Sequence, residues 1–414
     1  MPRTISGERL RDRFDRFNEI GATERGGVNR PSLSEANARA RDTLVDWFET
    51  AGLAVHVDEM GNIFGRRAGR DDDLPPVLLG SHVDSQYNGG RYDGVIGVLG
   101  GLEVVETLND AGVETERPIE VVSWSNEEGV RFQPDMLGSG VFAGKFDTAF
   151  AHSLEDTEGR VFGEELERIG YRGETPCEPR DLHCYLELHV EQGPTLVNAD
   201  LSVGVVEGVY GFVWFDAAFT GSADHAGPTP MDLRNDALVA TGDVIEAVRR
   251  IAGTESADLV GTVGSLDVSP NAINVIPERV EFTVDLRSYD DAAVDRAADR
   301  VREEIDHAAA REGIAAEHEV IMRIESQSFD DGVIETVADA ADALDADATR
   351  LVSGAGHDAS YLNRICPTGM IFVPSVDGVS HTEAEFTEWS DVVTGVNVLL
   401  NAAVAQATER PDEA

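Results

Sequence analysis

Leu78-Leu79-Gly80-Ser81-His82-Val83-Asp84-Ser85 is an apolar run that delivers an imidazole and a carboxylate at its C-terminal end. With Pro75, Pro76 and Val77 before it, the run has the length of a buried strand. A glycine-rich loop and a small-residue helix from Val95 to Leu108 follow, and apolar runs of strand length recur at Ile119 to Ser125 and Cys184 to Val190. Upstream, apolar residues keep helical spacing from Ser34 to Ala51, and Ala54 to Arg66 reads as a hairpin turning near Met60-Gly61-Asn62. Strands alternating with helices predict an α/β layer architecture, a mixed central sheet flanked by helices. In such sheets ligands bind beyond the carboxyl ends of the strands.

The rhythm changes in the middle of the chain. Strand Val213 to Thr220, helix Asn235 to Ile251, strands Leu259 to Val268 and Val280 to Arg287, helix Ala292 to Glu312 and strand Ala316 to Ile324 give the order β-α-β-β-α-β. This is the ferredoxin-like order. Set between two α/β stretches, it predicts a discontinuous main domain, residues 1–212 and 325–414, with the module inserted at 213–324. A chain of 414 residues is long enough for both. The acidic, alanine-rich stretch Ala338 to Thr349 reads as a solvated helix face.

The chain carries 78 acidic and 33 basic residues, a formal net charge of -45, and Lys145 is its one lysine. Nucleic acid and anionic membranes need a positive footprint, so neither is expected as a partner. No run reaches the roughly 18 uninterrupted apolar residues of a membrane span. The charged, helix-patterned stretch from Met1 to Arg16 is unlike a secretory leader, so a cytoplasmic protein is expected. Self-repulsion at this charge destabilises a compact fold in dilute buffer, and multimolar salt, with a screening length of about 3 Å or less, relieves it. The expected setting is a high-salt cytoplasm. Cys177, Cys184 and Cys366 are scattered, form no CxxC pair, and are expected to be buried or inert.

Chemistry-bearing residues collect at the strand ends. Asp93 lies in Gly89-Gly90-Arg91-Tyr92-Asp93-Gly94, just before the helix; Glu127 and Glu128 follow the strand ending at Ser125. If that strand continues, the two carboxylates face opposite ways and suit two jobs, binding a metal and deprotonating water. His189 stands among acids in Glu187-Leu188-His189-Val190-Glu191-Gln192-Gly193, and His381 in Gly378-Val379-Ser380-His381-Thr382-Glu383, after the apolar run Gly369 to Pro374. Alone, a strand-end histidine is more often a satisfied core group and a glutamate pair a solvated turn; their conjunction favours a metal site. Oxygen and nitrogen donors without thiolate suit zinc, manganese or cobalt. Two metals about 3.5 to 4 Å apart lower the pKa of a water between them toward about 7 and stabilise a tetrahedral oxyanion. A nearby carboxylate can pass the water's proton to a leaving nitrogen, so metal-assisted amide hydrolysis follows. His56, His152, His183, His307 and His318 lie without other ligand types and read as solvated or capping residues.

The stretches around Asp84, Asp93 and His189, together with Asp224-His225-Ala226-Gly227-Pro228-Thr229-Pro230-Met231, carry a resemblance over nearly the full length. The sequence resembles the aminoacylase and carboxypeptidase-type dinuclear zinc hydrolases and, within them, the hydantoinase/carbamoylase group. That group contains N-carbamoyl-L-amino acid hydrolase, allantoate amidohydrolase and β-ureidopropionase. The resemblance implies His82 and His189 on one metal, Glu128 and His381 on the other, Asp93 bridging, Glu127 as general base and Asp84 orienting His82. It also implies that the inserted module dimerises the protein and acts as a lid. From it His225 would stabilise the oxyanion, while Asn274 and Arg287 would hold a substrate carboxylate, in this group across the dimer. An arginine fork fits a carboxylate bidentately. The competing reading pairs Arg287 with Asp285 or Asp290 on the surface. Gly356, His357 and Asp358 match a family segment near the substrate; His357 and Asp358 suit structural support equally well. Where many relatives carry a glutamine, this chain has Tyr210-Gly211 followed by Phe212 and Trp214, a less polar pocket that favours N-carbamoyl or N-acyl amino acids over allantoate.

The expected protein is a homodimeric hydrolase of N-carbamoyl-L-amino acids, a small-molecule substrate. It would release ammonia, carbon dioxide and the amino acid, and hold two divalent metal ions per subunit, zinc ahead of manganese or cobalt. The alternatives are allantoate amidohydrolase or β-ureidopropionase and, more remotely, an N-acyl amino acid deacylase or peptidase. Intact Glu127 and five ligand positions count against a metal-free binding module.

Overall fold

The computed structural model describes residues 2–408; Met1 and residues 409–414, the two ends of the expected main domain, lie outside the described residues. In chain order the strands are β1 (Ala54–Val57), β2 (Ile63–Arg67), β3 (Val77–His82), β4 (Ile119–Trp124), β5 (Cys184–Val190), β6 (Val203–Val209), β7 (Gly211–Thr220), β8 (Val260–Ser269), β9 (Arg279–Ser288), β10 (Ala315–Ile324), β11 (Gln327–Ser328), β12 (Ala348–Ser353) and β13 (Thr368–Val373). The chain divides into two compact units, Met1–Glu207 with Phe329–Ala414, and Gly208–Ser328.

A nine-stranded mixed sheet runs in the order β1-β2-β4-β3-β5-β13-β6-β11, with β12 beside β6, and all of it but β11 and the last two residues of β6 belongs to the larger unit. Its centre is parallel: β3 pairs with β4 and β5, and β5 with β13. These four strands are buried at every position. That is why they read as continuous apolar runs rather than alternating ones. Register sets His82 beside Trp124 and His189 beside Phe372, so four C-terminal ends emerge along one edge of the sheet. Gly80, with φ 149°, makes the β3–β4 approach possible, because a Cβ there would lie 2.1 Å from the Val122 carbonyl oxygen. Helix Val95–Asp110, buried along nearly all its length, packs against β3 and helix Trp389–Thr408.

The stretch from Ala338 to Thr349 is not one solvated helix face, as the sequence led us to expect. Within Ala338 to Thr349, helix Asp331–Ala343 ends early and buries Ala340 and Ala341, and Thr349 belongs to β12. Alanine carries little apolar weight, so acids on the outer face mask a buried inner one.

In the smaller unit β10-β7-β9-β8 form an antiparallel sheet, with helices Ala237–Glu255 and Asp291–Glu312 on one face. Val213, Phe215, Ala217 and Phe219 of β7 and Val280, Phe282, Val284 and Leu286 of β9 share a core with those helices. The two-residue period of a strand therefore sends Phe212, Trp214, Asp285 and Arg287 to the opposite face. The Asp236 and Asp290 carboxylates accept main-chain N–H groups at the helix starts, from Leu238 and Val239 and from Ala293. Among the described residues no helix is long and apolar enough to cross a membrane. Cys177, Cys184 and Cys366 are buried and form no disulfide among the described residues.

Candidate metal centre

His82 is the last residue of β3, and its Nδ1 lies 3.0 Å from the main-chain carbonyl of Asp84. His189 near the end of β5 does the same with the Val190 carbonyl, also at 3.0 Å. A carbonyl only accepts, so Nδ1 of each ring carries a proton and Nε2 is the nitrogen that faces the cluster. Asp93 receives them: its Oδ1 is 3.5 Å from His82 Nε2 and 3.1 Å from His189 Nε2. Its other oxygen lies 3.4 Å from Nε2 of half-exposed His381, which in turn is 3.7 Å from Glu128. Two trios result, His82–Asp93–His189 and Asp93–Glu128–His381, each offering donor atoms within 4.8 Å of one another and sharing Asp93.

The loops beyond the strands hold strained backbone. Asn126, Gln192 and His381 have φ of 58°, 59° and 57°. Left-handed non-glycine residues cost on the order of 1–3 kcal/mol each and gather at functional sites. At Gly94, φ 65°, a Cβ would sit 2.4 Å from His82 Nε2, so glycine is required where the loop passes the imidazole. The glutamate pair departs from expectation. β4 ends at Trp124 and the chain turns at Asn126, so strand alternation does not separate the two side chains. Instead the Asp84 carboxylate accepts the N–H groups of Glu127 (3.4 Å) and Glu128 (3.3 Å). Glu128 is then drawn to Gln86, whose N and Nε2 donate to it at 2.9 and 2.6 Å, while Glu127 Oε2 stands 3.3 Å from His82 Nε2. Asp84 thus meets His82 chiefly through its main chain; its carboxylate is 3.9 Å from the ring nitrogen.

The charge balance explains what the cluster needs. Burial would raise the Asp93 carboxyl, but His189 and His82 outweigh it and hold it well below the usual range. Glu127 and Glu128 are pushed well above theirs, first by burial and then by neighbouring carboxylates, with His82 opposing. Burial and crowding thus both oppose the ionised form of the two glutamates. His82 Nε2 is moreover buried without a hydrogen-bond partner among the described residues. An orphaned nitrogen aimed at crowded carboxylates, with no sulfur donor, fits divalent cations.

Several supporting groups escape sequence reading. Glu385, 3% exposed, accepts the N–H groups of Tyr92 and Asp93 at 3.1 Å each and the Ser380 hydroxyl at 2.8 Å, tying the Asp93 loop to the His381 loop. Gln192 Nε2 lies 3.0 Å from both Asp93 Oδ2 and His381 Nε2. Fully buried Arg30 and Arg41 hold main chain behind the centre, at the Val83 carbonyl (2.7 Å) and the Gly61 carbonyl (2.6 Å). The only sequence signal for Glu385 is an acid four residues after His381.

His357 packs edge-on against His189 with ring centroids 4.5 Å apart, and its Nε2 is 3.0 Å from Ser353 Oγ. Burial holds it well below the usual histidine range, hence neutral. Buried Asp358 accepts from the Ser139 hydroxyl. Exposed Gly356 adjoins Met136, whose Cε a Cβ would approach to 3.0 Å.

His225, Asn274 and Arg287 belong to the smaller unit. His225 is exposed, bridges backbone with Val275, and its Nδ1 accepts from the Gly227 N–H at 3.0 Å. The Ala226 N–H donates to the Asn274 carbonyl at 2.9 Å, which sets the two loops side by side. Arg287, half-buried on β9, pairs with Asp285 at 2.8 Å and lies over the Phe212 ring at 5.2 Å.

Peptidase family M20/M25/M40 matches residues 78–405. The N-carbamoyl-L-amino-acid amidohydrolase of Rhizobium meliloti is 42% identical over 98% of this chain and 97% of its own length. The enzyme of the same description from Geobacillus stearothermophilus is 40% identical over 96% and 98%. A crystal structure of an amidase of the hydantoinase/carbamoylase family from Burkholderia multivorans superposes with a TM-score of 0.95 at 47% identity, covering 98% of this chain and 99% of that one. Strand-end imidazoles and carboxylates, a fold shared end to end and this level of identity agree: the chain belongs to peptidase family M20/M25/M40 and, within it, to the hydantoinase/carbamoylase group of metal-dependent hydrolases acting on C–N bonds.

Proposed function

We propose that this enzyme hydrolyses N-carbamoyl-L-amino acids, with one divalent cation held by His82, Asp93 and His189 and a second by Asp93, Glu128 and His381. The observation that carries the reading is Asp93, whose two oxygens face two separate donor sets while Glu127 stands beside His82. The descriptions of the two curated relatives support the substrate class. The donors suit zinc first, and manganese or cobalt next. When bound, such cations polarise the scissile carbonyl and acidify the attacking water.

Glu127 takes the water's proton and delivers it to the leaving nitrogen. Attack at the carbamoyl carbon breaks its bond to the amino-acid nitrogen, and the carbamate left behind falls apart to ammonia and carbon dioxide. Asp84 fixes the turn that aims Glu127 and orients His82. His225 donates to the oxyanion, Asn274 and Arg287 hold the substrate carboxylate, and Gly356 and His357 line the pocket. The insert, residues 213–324, serves as lid and dimerisation module of the 1–212 and 325–414 catalytic domain. Exposed apolar groups on it, Leu238, Val239 and Ile245 on one helix and Val260 and Leu266 on β8, support a homodimer. The net charge of -45 supports work in a high-salt cytoplasm.

The test supplies the purified enzyme, in high salt with zinc, manganese or cobalt, with N-carbamoyl-L-amino acids, allantoate, 3-ureidopropionate and N-acetyl amino acids. Ammonia and amino acid should appear in equal amounts from the N-carbamoyl substrates, faster than from the others. Amino acid released chiefly from N-acetyl substrates, with no ammonia, would overturn the reading; faster turnover of allantoate or 3-ureidopropionate would move the assignment within the group.

A further inference from the structure

The geometry points to Asp285 and Phe212 as positioning residues that lock Arg287 so that one free guanidinium edge is presented to a carboxylate. This rests on Arg287 being the substrate-carboxylate arginine proposed above.

A guanidinium has two edges able to engage a carboxylate bidentately, one formed by Nε and Nη2 and one by Nη1 and Nη2. Asp285, two residues earlier on β9 and therefore on the same face, occupies the first. Its oxygens accept from Nε at 2.9 and 3.0 Å and from Nη2 at 2.8 Å. Nη1 has no hydrogen-bond partner among the described residues, and the Arg287 side chain is 31% exposed, so the second edge stays open. One flat face of the guanidinium is covered as well. Phe212 is the register partner of Arg287 across β7 and β9, and its ring centroid lies 5.2 Å from Cζ. Trp214, the register partner of Asp285, backs that ring at 4.9 Å. Edge, face and backing together remove the rotational freedom that a four-bond side chain would otherwise lose on binding, which is preorganisation in the ordinary sense.

The competing account makes Asp285 a rival that neutralises Arg287 and must be displaced by substrate. The two accounts differ in sign. For a rival, Asp285→Asn removes a negative charge and tightens substrate binding; for a positioning residue it frees the guanidinium and weakens binding.

The experiment measures kcat and KM for Asp285→Asn and Phe212→Leu on an N-carbamoyl amino acid and on its carboxamide, which lacks the carboxylate. With Asp285→Asn, KM for the carboxylate substrate should rise about tenfold, the scale of one lost hydrogen bond to a charged group. Its kcat should stay within about twofold, and the carboxamide should be unaffected, because the metal centre and Glu127 are untouched. Phe212→Leu should raise KM in the same selective way by a smaller factor. An unchanged or lowered KM, or equal loss on both substrates, overturns the proposal. Arg287→Lys separates it from the reading beneath: if that variant leaves KM for the carboxylate substrate unchanged, Arg287 is not the carboxylate ligand. If it raises KM while Asp285→Asn does not, only the positioning role falls.

Discussion

Asp93 stands between three imidazoles and shares its oxygens between two donor sets, so its removal should be felt at both. Asp93→Ala is expected to lower metal content at both positions, measured as metal per chain after dialysis; two tightly bound ions in that variant would contradict a bridging role. Glu385 acts one step away. In Glu385→Ala the N–H groups of Tyr92 and Asp93 lose their acceptor, a cost of roughly 1–3 kcal/mol per buried group. Chelator should then strip metal at a concentration about tenfold or more lower than from the parent, with Glu385→Gln partly restoring resistance; equal resistance would show that the two loops do not depend on this tie. At this scale the sequence is legible where chemistry and position coincide. His82 and His189 sit on apolar strands, and glycines flank Asp93. Glu385 is opaque because its partners Tyr92 and Asp93 lie 293 and 292 residues away and are main-chain N–H groups, which any residue type would supply.

The four parallel strands depend on close approach, and that makes Gly80 a sensitive position. Gly80→Ala should cost about 1–3 kcal/mol or more, through overpacking against the Val122 carbonyl and a disfavoured φ. Gly253, where a Cβ meets nothing within 4 Å in helix Ala237–Glu255, gives the contrast. Gly253→Ala should leave the thermal midpoint unchanged or raise it, since alanine gains roughly 0.5–1 kcal/mol over glycine in a helix. Equal destabilisation by both changes would sink the steric argument. Strand ends are readable from sequence because a buried parallel strand is an unbroken apolar run. The divergence of Glu127 and Glu128 is not, because it arises from the left-handed turn at Asn126 and the grip of Asp84, and Asn126 carries no apolar signal. Likewise the helix near Ala338 hides its buried face behind alanines.

Over the whole molecule, 78 acidic residues against 33 basic ones leave carboxylates in large excess over cations. Added salt should therefore stabilise: the thermal midpoint and activity are expected to rise from low salt to multimolar KCl. A flat response would remove the high-salt setting. Two-part organisation is legible in sequence as a change of rhythm. Its seam is less so: the smaller unit begins at Gly208 and ends at Ser328, because the ends of β6 and the short β11 pair with each other in a stretch that composition does not mark.

The central claim, that Glu127 moves the proton at a cation-holding site built by its neighbours, is tested most directly by Glu127→Gln turnover of an N-carbamoyl amino acid at verified metal content. Glutamine keeps the shape and removes the base. Metal content should match the parent while ammonia release falls by roughly 10² to 10⁴ or more; near-normal release from the fully loaded variant would contradict the account.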